Sequence, residues 1–275
     1  MSHILIAGLG DLGTGLAEKL LADGHRVSAI RRGDTCPAGV ELYSQDLTAG
    51  AAMLPPDQVD VLVIIMTPSE YSEEGYLKAF VRAPLTLLDA LAQQQPLPPV
   101  VFVSSSAVFG ELSGQVDEAT PPNPARYNGK VLLAAEEEIS VRAMSTVVRF
   151  TGIYGPGRHR QIDKAARLAR SEEPLPEAQW TNRIHRDDCV GLLHSVVNGW
   201  LQGREMPPLV VGTDNVGGRN LDVLQWLAEQ QGLTLDVPDD APAGKQVKSL
   251  YISQGHYTLQ YPGYQDGYAQ VLAER

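Results

Sequence analysis

An apolar strand runs without a break into a glycine-rich turn and then a helix at the start of this chain: HILIAGLGDLGTGL, His3 to Leu16. Ile4, Leu5, Ile6 and Ala7 form the continuous apolar run of a strand buried on both faces of a parallel sheet. Gly8, Gly10 and Gly13 follow in GxGxxG spacing. Gly8 permits the tight turn, Gly10 lets the backbone approach a pyrophosphate, and Gly13 lets the helix pack close to the strand. The pyrophosphate is expected on the free N–H groups at the helix start, around Asp11 and Leu12. A second strand, Arg26 to Ile30, follows Gly24. This context makes an open α/β dinucleotide-binding fold the expectation.

Whole-chain properties narrow the partners. At 275 residues and 43% hydrophobic, the chain can fill one large domain, or one domain plus a small one, with a proper core. A formal charge of −11 argues against nucleic acid and anionic membrane, both of which need clustered Lys and Arg. A small-molecule partner is expected. Cys36 and Cys189 have no metal-ligand spacing and are too few for a disulfide framework, so no metal site and a reducing cytoplasm are expected. No charged and then apolar leader opens the sequence, and the longest apolar run, Val61 to Met66, is too short to span a bilayer. A cytoplasmic protein is the reading.

The second strand ends at Arg31, Arg32 and Gly33. A site selective for NAD places Asp or Glu there to hold the ribose 2′-hydroxyl, whereas two guanidinium groups suit a 2′-phosphate or simply face solvent. NADP is therefore expected, with NAD the alternative. Asp46, before Leu47, either accepts from an adenine amino group or initiates a turn. The strand within Val59 to Met66 ends at Thr67, at the carboxyl edge where ligands sit. Tyr71 to Gly75 reads as a loop and Tyr76 to Gln95 as a helix stopped by PLPP.

Val100 to Val103, another buried strand, empties into Ser104, Ser105 and Ser106, whose hydroxyls suit either chemistry or the capping of a turn. Asn123 reads as an N-cap and Pro124 as the first residue of a helix running to about Val141, with Glu136, Glu137 and Glu138 on a solvated face. After the strand Thr146 to Phe150 comes TGIYGPGRHR, a rigid turn with a basic tip.

With the glycine turn, SSSAVFG, a Tyr and a Lys on the next helix, RFTGIYGPG and RIHRDD in order, the chain resembles the extended short-chain dehydrogenase/reductases, the NAD(P)-dependent epimerase/dehydratase family. It is most similar to the short, atypical YeeZ-like members. The resemblance implies a doubly wound parallel sheet (Rossmann) of α/β class with a smaller C-terminal substrate cap. The NADP-binding core is expected over 1–150, with a return at about 182–212. The cap is expected over 151–275, mainly 151–181 and 213–275.

The resemblance also implies a Ser, Tyr and Lys set, here Ser105, Tyr127 and Lys130, in which lysine lowers the tyrosine's pKa and holds the cofactor ribose. A free phenol near pKa 10 is no useful base at neutrality without such a cation. The chain departs from the family's YxxxK: Arg126 stands four residues before Lys130 and Tyr127 three. Positions three and four before a lysine share its helix face but differ by about 100° in azimuth. Tyr127 thus either reaches the site or packs beside the cofactor. The glycine turn is also one residue tighter than the family's GxxGxxG.

The expected cofactor contacts are Gly8, Gly10, Asp11, Leu12, Gly13, Arg31, Arg32, Asp46, Leu47, Thr67, Ser104 and Lys130. Ser106, Arg158, Asn182 and Arg183 are the expected substrate contacts, chosen beside His159, Arg160 and Trp180 as groups that can meet an anionic, nucleotide-sugar-like ligand. His185 and Asp187 read as organisers of the fold. Two function classes follow: an oxidoreductase, epimerase or dehydratase acting on a hydroxyl or carbonyl of a sugar-like substrate, and an NADP-binding sensor without turnover. By family analogy a homodimer through the two long helices is also expected.

Overall fold

The computed structural model describes residues 1–50 and 52–275. The chain opens with β1 (His3–Ala7), α1 (Asp11–Ala22), β2 (Arg26–Arg31), β3 (Val40–Ser44) and β4 (Val61–Ile64). Next come α2 (Glu73–Tyr76), α3 (Ala83–Ala92), β5 (Val100–Ser105), β6 (Gly114–Val116), α4 (Tyr127–Arg142), β7 (Ser145–Phe150) and β8 (Gly152–Tyr154). The remainder is α5 (Arg160–Ala169), β9 (Trp180–Thr181), β10 (Arg183–His185), α6 (Arg186–Leu201), β11 (Leu209–Gly212), β12 (Gly218–Arg219), α7 (Asn220–Glu229), β13 (Lys245–Val247), α8 (Leu250–Ser253) and α9 (Tyr264–Ala273).

A seven-stranded sheet has the order β11-β7-β5-β4-β1-β2-β3. β1 pairs parallel with both β2 and β4, β2 with β3, and β4 with β5. Successive strands therefore leave β1 in opposite directions, and the crevice beyond the carboxyl ends of β1 and β4 is the topological switch point where such sheets bind ligands. Every residue of β1 and of β4 is buried, as continuous apolar strands require. Leu87, Leu88 and Leu91 of α3 and Val131, Leu132 and Ile139 of α4 pack with Leu5, Leu62 and Phe102 in one core. This is the doubly wound α/β fold of the Rossmann class.

The chain divides into two compact units: Met1–Gly110, Pro122–Arg149 and Val190–Val210, and then Glu111–Pro121, Phe150–Cys189 and Val211–Arg275. The second unit carries three two-stranded sheets, β10-β8, β12-β9 and β13-β6. Its own core joins Ile162 and Leu168 of α5, Leu224 and Leu227 of α7, and Val271 of α9.

Three local expectations are corrected. The segment read as a loop is already helical from Glu73, because Ser72 Oγ accepts from the Gly75 N–H at 3.1 Å and caps it. That helix then widens into a π-helical stretch over Leu77–Arg82 before α3. Asn123 and Pro124 do not start α4; Arg126 is its N-cap residue. The Asn123 N–H instead donates to the Val108 carbonyl at 3.1 Å, and a Cβ on Gly110 would lie 1.9 Å from the Asn123 oxygen, so this segment is pinned as a connector. Glu136 is not solvated but 5% exposed, whereas Glu137 and Glu138 are exposed.

Candidate functional site

The glycine turn fits its surroundings as a lock. Gly8 has φ +106°, and a Cβ there would lie 1.9 Å from the Ile65 oxygen. A Cβ on Gly13 would lie 2.2 Å from the Gly8 oxygen, so α1 packs directly on the turn. At Gly10, the exposed N-cap residue of α1, a Cβ would meet nothing within 4 Å. The turn is therefore closed on the protein side and open over Gly10, where the free N–H groups of a twelve-residue helix begin. Such a cradle suits a pyrophosphate. Asp11 at the first helical position is exposed and Leu12 is buried beneath it.

Beside the turn lies a cavity of about 300 Å³ lined by Gly8, Gly10, Arg31, Arg32, Asp46 and Thr67, with Leu47, Met66 and Ser69 also in its wall. Arg31 donates through Nη1 to the Thr35 carbonyl at 2.9 Å, and Arg32 through Nη1 to Ser69 Oγ at 2.7 Å. Among the described residues neither guanidinium pairs with a carboxylate. Asp46 caps the short turn Leu47–Ala49, its Oδ1 accepting from the Thr48 N–H at 2.9 Å and from Thr48 Oγ1 at 2.7 Å. The Thr48 hydroxyl, with the Thr48 N–H and the nearby Arg32 charge, holds the Asp46 carboxyl below the usual carboxylate range. Asp46 does initiate a turn, and it lines the cavity as well.

A smaller cavity of about 130 Å³ is lined by Met66, Tyr76, Phe80, Ser104, Ser105, Asn128 and Leu132, with Val103 and Ala107. Ser105 Oγ accepts from the Ala107 N–H at 3.2 Å and caps the turn Ser106–Phe109. Ser104 is 6% exposed and donates to Glu136 Oε1 at 2.5 Å. Ser106 is in neither cavity wall. Because α4 starts at Tyr127, the side chains it presents to Ser105 are Asn128 and Leu132, one turn apart. Tyr127 is 37% exposed, and its hydroxyl donates to the Tyr71 carbonyl at 2.8 Å. Lys130 is exposed. The structure thus brings Ser104 and Ser105 together in this cavity and leaves Tyr127 and Lys130 out of its wall. Tyr76 and Asn128, which the sequence reading did not single out, stand there instead.

In the second unit Arg183 is 8% exposed and donates through Nη2 to Thr181 Oγ1 at 2.7 Å, with its guanidinium 5.4 Å from the Tyr264 ring centroid. Its Nη1 is buried without a partner among the described residues. Asn182 spends its amide on the backbone, donating to the Lys245 carbonyl at 2.9 Å and accepting from the Val247 N–H at 2.7 Å. Arg158 is half-buried behind the Gly155–Gly157 turn. His185 is fully buried; its Nδ1 accepts from the Asp187 N–H at 3.2 Å and its ring lies 3.9 Å from that of Tyr261. Asp188 accepts from the Tyr257 hydroxyl and from the N–H groups of Gln260 and Tyr261 at 2.7–3.0 Å, which ties down that loop.

Sheet order, glycine cradle and the cavity at the switch point together define a dinucleotide-binding α/β protein. A sequence profile of the NAD dependent epimerase/dehydratase family matches residues 4–198. Protein YeeZ of Escherichia coli (strain K12) is 30% identical over 208 residues, covering 70% of this chain and 72% of that protein. This chain belongs to the NAD-dependent epimerase/dehydratase family. Among solved structures, a protein of Methylobacillus flagellatus classed as an NAD-dependent epimerase/dehydratase is 35% identical with a TM-score of 0.83, over 99% of this chain and 98% of that one. MoeE5, in complex with UDP-glucuronic acid and NAD, is alike in fold at 20% identity and TM-score 0.78, over 99% and 98%. So is the UDP-glucuronic acid 4-epimerase of Bacillus cereus in complex with NAD, at 18% and 0.77, over 99% of both chains. Among the described residues no helix is long and apolar enough to cross a membrane.

Proposed function

We propose that the protein binds NADP at the Gly8–Gly13 turn and acts as an oxidoreductase, epimerase or dehydratase on a hydroxyl or carbonyl of a sugar-like substrate. The carrying observation is the cavity beside the turn, where Arg31 and Arg32 both stand without a carboxylate partner among the described residues. Two such guanidinium groups at the end of β2 suit a ribose 2′-phosphate, where an acidic residue would repel it. Asp46, with Oδ2 uncommitted, faces the same space as an acceptor for an adenine amino group. The glycine turn holds the pyrophosphate, and the bound nicotinamide supplies hydride transfer. Ser105 carries the hydroxyl nearest the reacting end. Arg183, with one guanidinium nitrogen left unpartnered in burial, is the substrate contact favoured in the second unit, on the precedent of fold relatives that hold UDP-sugars.

Tyr127 and Lys130 lie outside the wall of the Ser105 cavity, and this favours a second reading, an NADP-binding module without turnover. Calorimetric titration of cofactor-stripped protein with NADP and NAD in one buffer tests the first step. NADP at least tenfold tighter, about 1.4 kcal/mol, and loss of that preference in Arg32→Ala, are the expected results. Equal or tighter binding of NAD overturns the NADP assignment, and binding of neither overturns both readings.

A further inference from the structure

The 130 Å³ cavity is lined by four uncharged polar residues and no charged one: Ser104, whose hydroxyl is committed to Glu136, and Ser105, Asn128 and Tyr76. Among the described residues the Asn128 amide and the Tyr76 hydroxyl have no hydrogen-bond partner, and Ser105 Oγ uses only its acceptor capacity, toward the Ala107 N–H. The remaining wall is apolar, from Met66, Phe80, Val103 and Leu132. Unpartnered donors and acceptors between flat apolar surfaces match a planar, neutral ligand group that carries its own amide or carbonyl. A phosphate or carboxylate would find no cation there.

Two features tie this cavity to the dinucleotide cradle. Met66, just beyond β4, is in the wall of both cavities, so one extended ligand can run from Arg31 and Asp46 past Met66 to Ser105. Tyr76 ends α2 where the helix widens into the π-helical stretch Leu77–Arg82, a distortion that recurs at functional sites. Its ring is fixed between Phe80, at a centroid distance of 5.3 Å, and Tyr127, edge-on at 5.5 Å. Burial pushes the Tyr76 phenol above its ordinary range, so it stays a neutral donor at physiological pH.

We propose that Asn128 and Tyr76, with Ser105, take the uncharged dihydronicotinamide end of the bound dinucleotide, the Asn128 amide pairing with the carboxamide. The assignment rests on the dinucleotide reading above. It places the discriminating side chain of α4 at Asn128, one residue after the tyrosine that the family pattern emphasises. It also makes the chain's hold on the ring a matter of neutral hydrogen bonds.

The test is calorimetric, with Asn128→Leu and Tyr76→Phe beside the wild type. Each is titrated with NADPH or NADH, whichever binds the wild type more tightly, and with the same nucleotide's half that lacks nicotinamide. The expected result is at least tenfold weaker binding of the whole dinucleotide to Asn128→Leu, a smaller loss in Tyr76→Phe, and unchanged affinity for the half-nucleotide in both. Unchanged affinity for the whole dinucleotide overturns the proposal and leaves the cofactor reading standing. Equal losses for both ligands also overturn it, because the two cavities then do not act separately. Failure of the wild type to bind either ligand instead overturns the cofactor reading itself.

Discussion

Arg149 grips Glu136 from β7 to α4, with Nε 3.1 Å from Oε1 and Nη2 2.6 Å from Oε2, and the two side chains are only 5% and 6% exposed. Ser104 donates to the same carboxylate, and Phe109 lies under the guanidinium at 5.0 Å. The pair thus braces the end of β5, where Ser105 sits. Removing one partner leaves a charge buried alone, so Arg149→Met is expected to cost about 3–5 kcal/mol in urea unfolding. The double variant Arg149→Met with Glu136→Leu should regain most of that loss. Equal destabilisation in single and double variants would show that packing, not the unpaired charge, dominates.

The three glycines of the turn separate by what a methyl group would meet. At Gly13 it would collide with the Gly8 carbonyl, so Gly13→Ala should lower stability by roughly 1–3 kcal/mol as α1 is pushed outward. At Gly10 it would meet open space, so Gly10→Ala should leave the unfolding midpoint within about 0.5 kcal/mol of wild type. With the pyrophosphate held at the turn as proposed, the same variant should weaken dinucleotide binding several-fold, because the methyl would occupy its approach. Calorimetry and denaturant titration on each variant check the contrast.

His185 should make the second unit sensitive to acid. Burial pushes its pKa below 6.5, against the opposing pull of the Asp187, Asp188 and Glu274 carboxylates and with the Arg186 charge adding to the depression. The folded protein therefore holds the ring neutral while the unfolded chain takes up a proton near pH 6.5. Below that value the unfolded state binds more protons, and stability falls as pH drops, approaching about 1.4 kcal/mol per pH unit until the folded ring also titrates. His185→Gln should be less stable at pH 8 yet lose less between pH 7 and pH 5. An identical pH slope in wild type and variant would remove His185 as the cause.

Tyr127 is predicted to matter to the local structure more than to ligand affinity. Its hydroxyl is engaged by the Tyr71 carbonyl on a partly exposed surface, so Tyr127→Phe should cost about 0.5–1.5 kcal/mol of stability. Dinucleotide affinity should stay within about twofold. A tenfold loss of affinity would show that the phenol swings into the cavity when the ligand binds.

The sheet and the cradle were legible because their signals are local. Short continuous apolar runs bounded by turn residues read as strands buried on both faces, and Gly13 answers to the Gly8 carbonyl five residues back, although Gly8 itself is closed off by Ile65, far away in sequence. What escaped was set by partners distant in sequence. Glu136 stands in a run of three glutamates that reads as solvated, yet it falls on the same stripe of α4 as Leu132 and Ile139, opposite a buried arginine thirteen residues on. That stripe, followed four residues at a time, was the available signal. Asn123 and Pro124 carry a good helix-start signature, but the Asn123 N–H is tied to the Val108 carbonyl in a connector and the helix begins only at Tyr127. Ser72 followed by two glutamates is itself a helix start, and reading it so would have put Tyr76 on a helix. Nothing local could have aimed Tyr76 at Ser105, since β5 and the intervening α3 decide that.

The π-helical stretch between Tyr76 and Ala83 amounts to one surplus residue threaded into an otherwise α-helical rod. Deleting one residue from Leu77–Arg82 would let the rod close up and turn everything before it by about 100° against α3. Tyr76 would then leave the cavity wall although its own identity had not changed. Among related chains, a one-position gap in this segment should therefore signal a differently furnished cavity more reliably than any substitution in the glycine turn, and tracing when that gap opened would date the divergence of binding preference within the family.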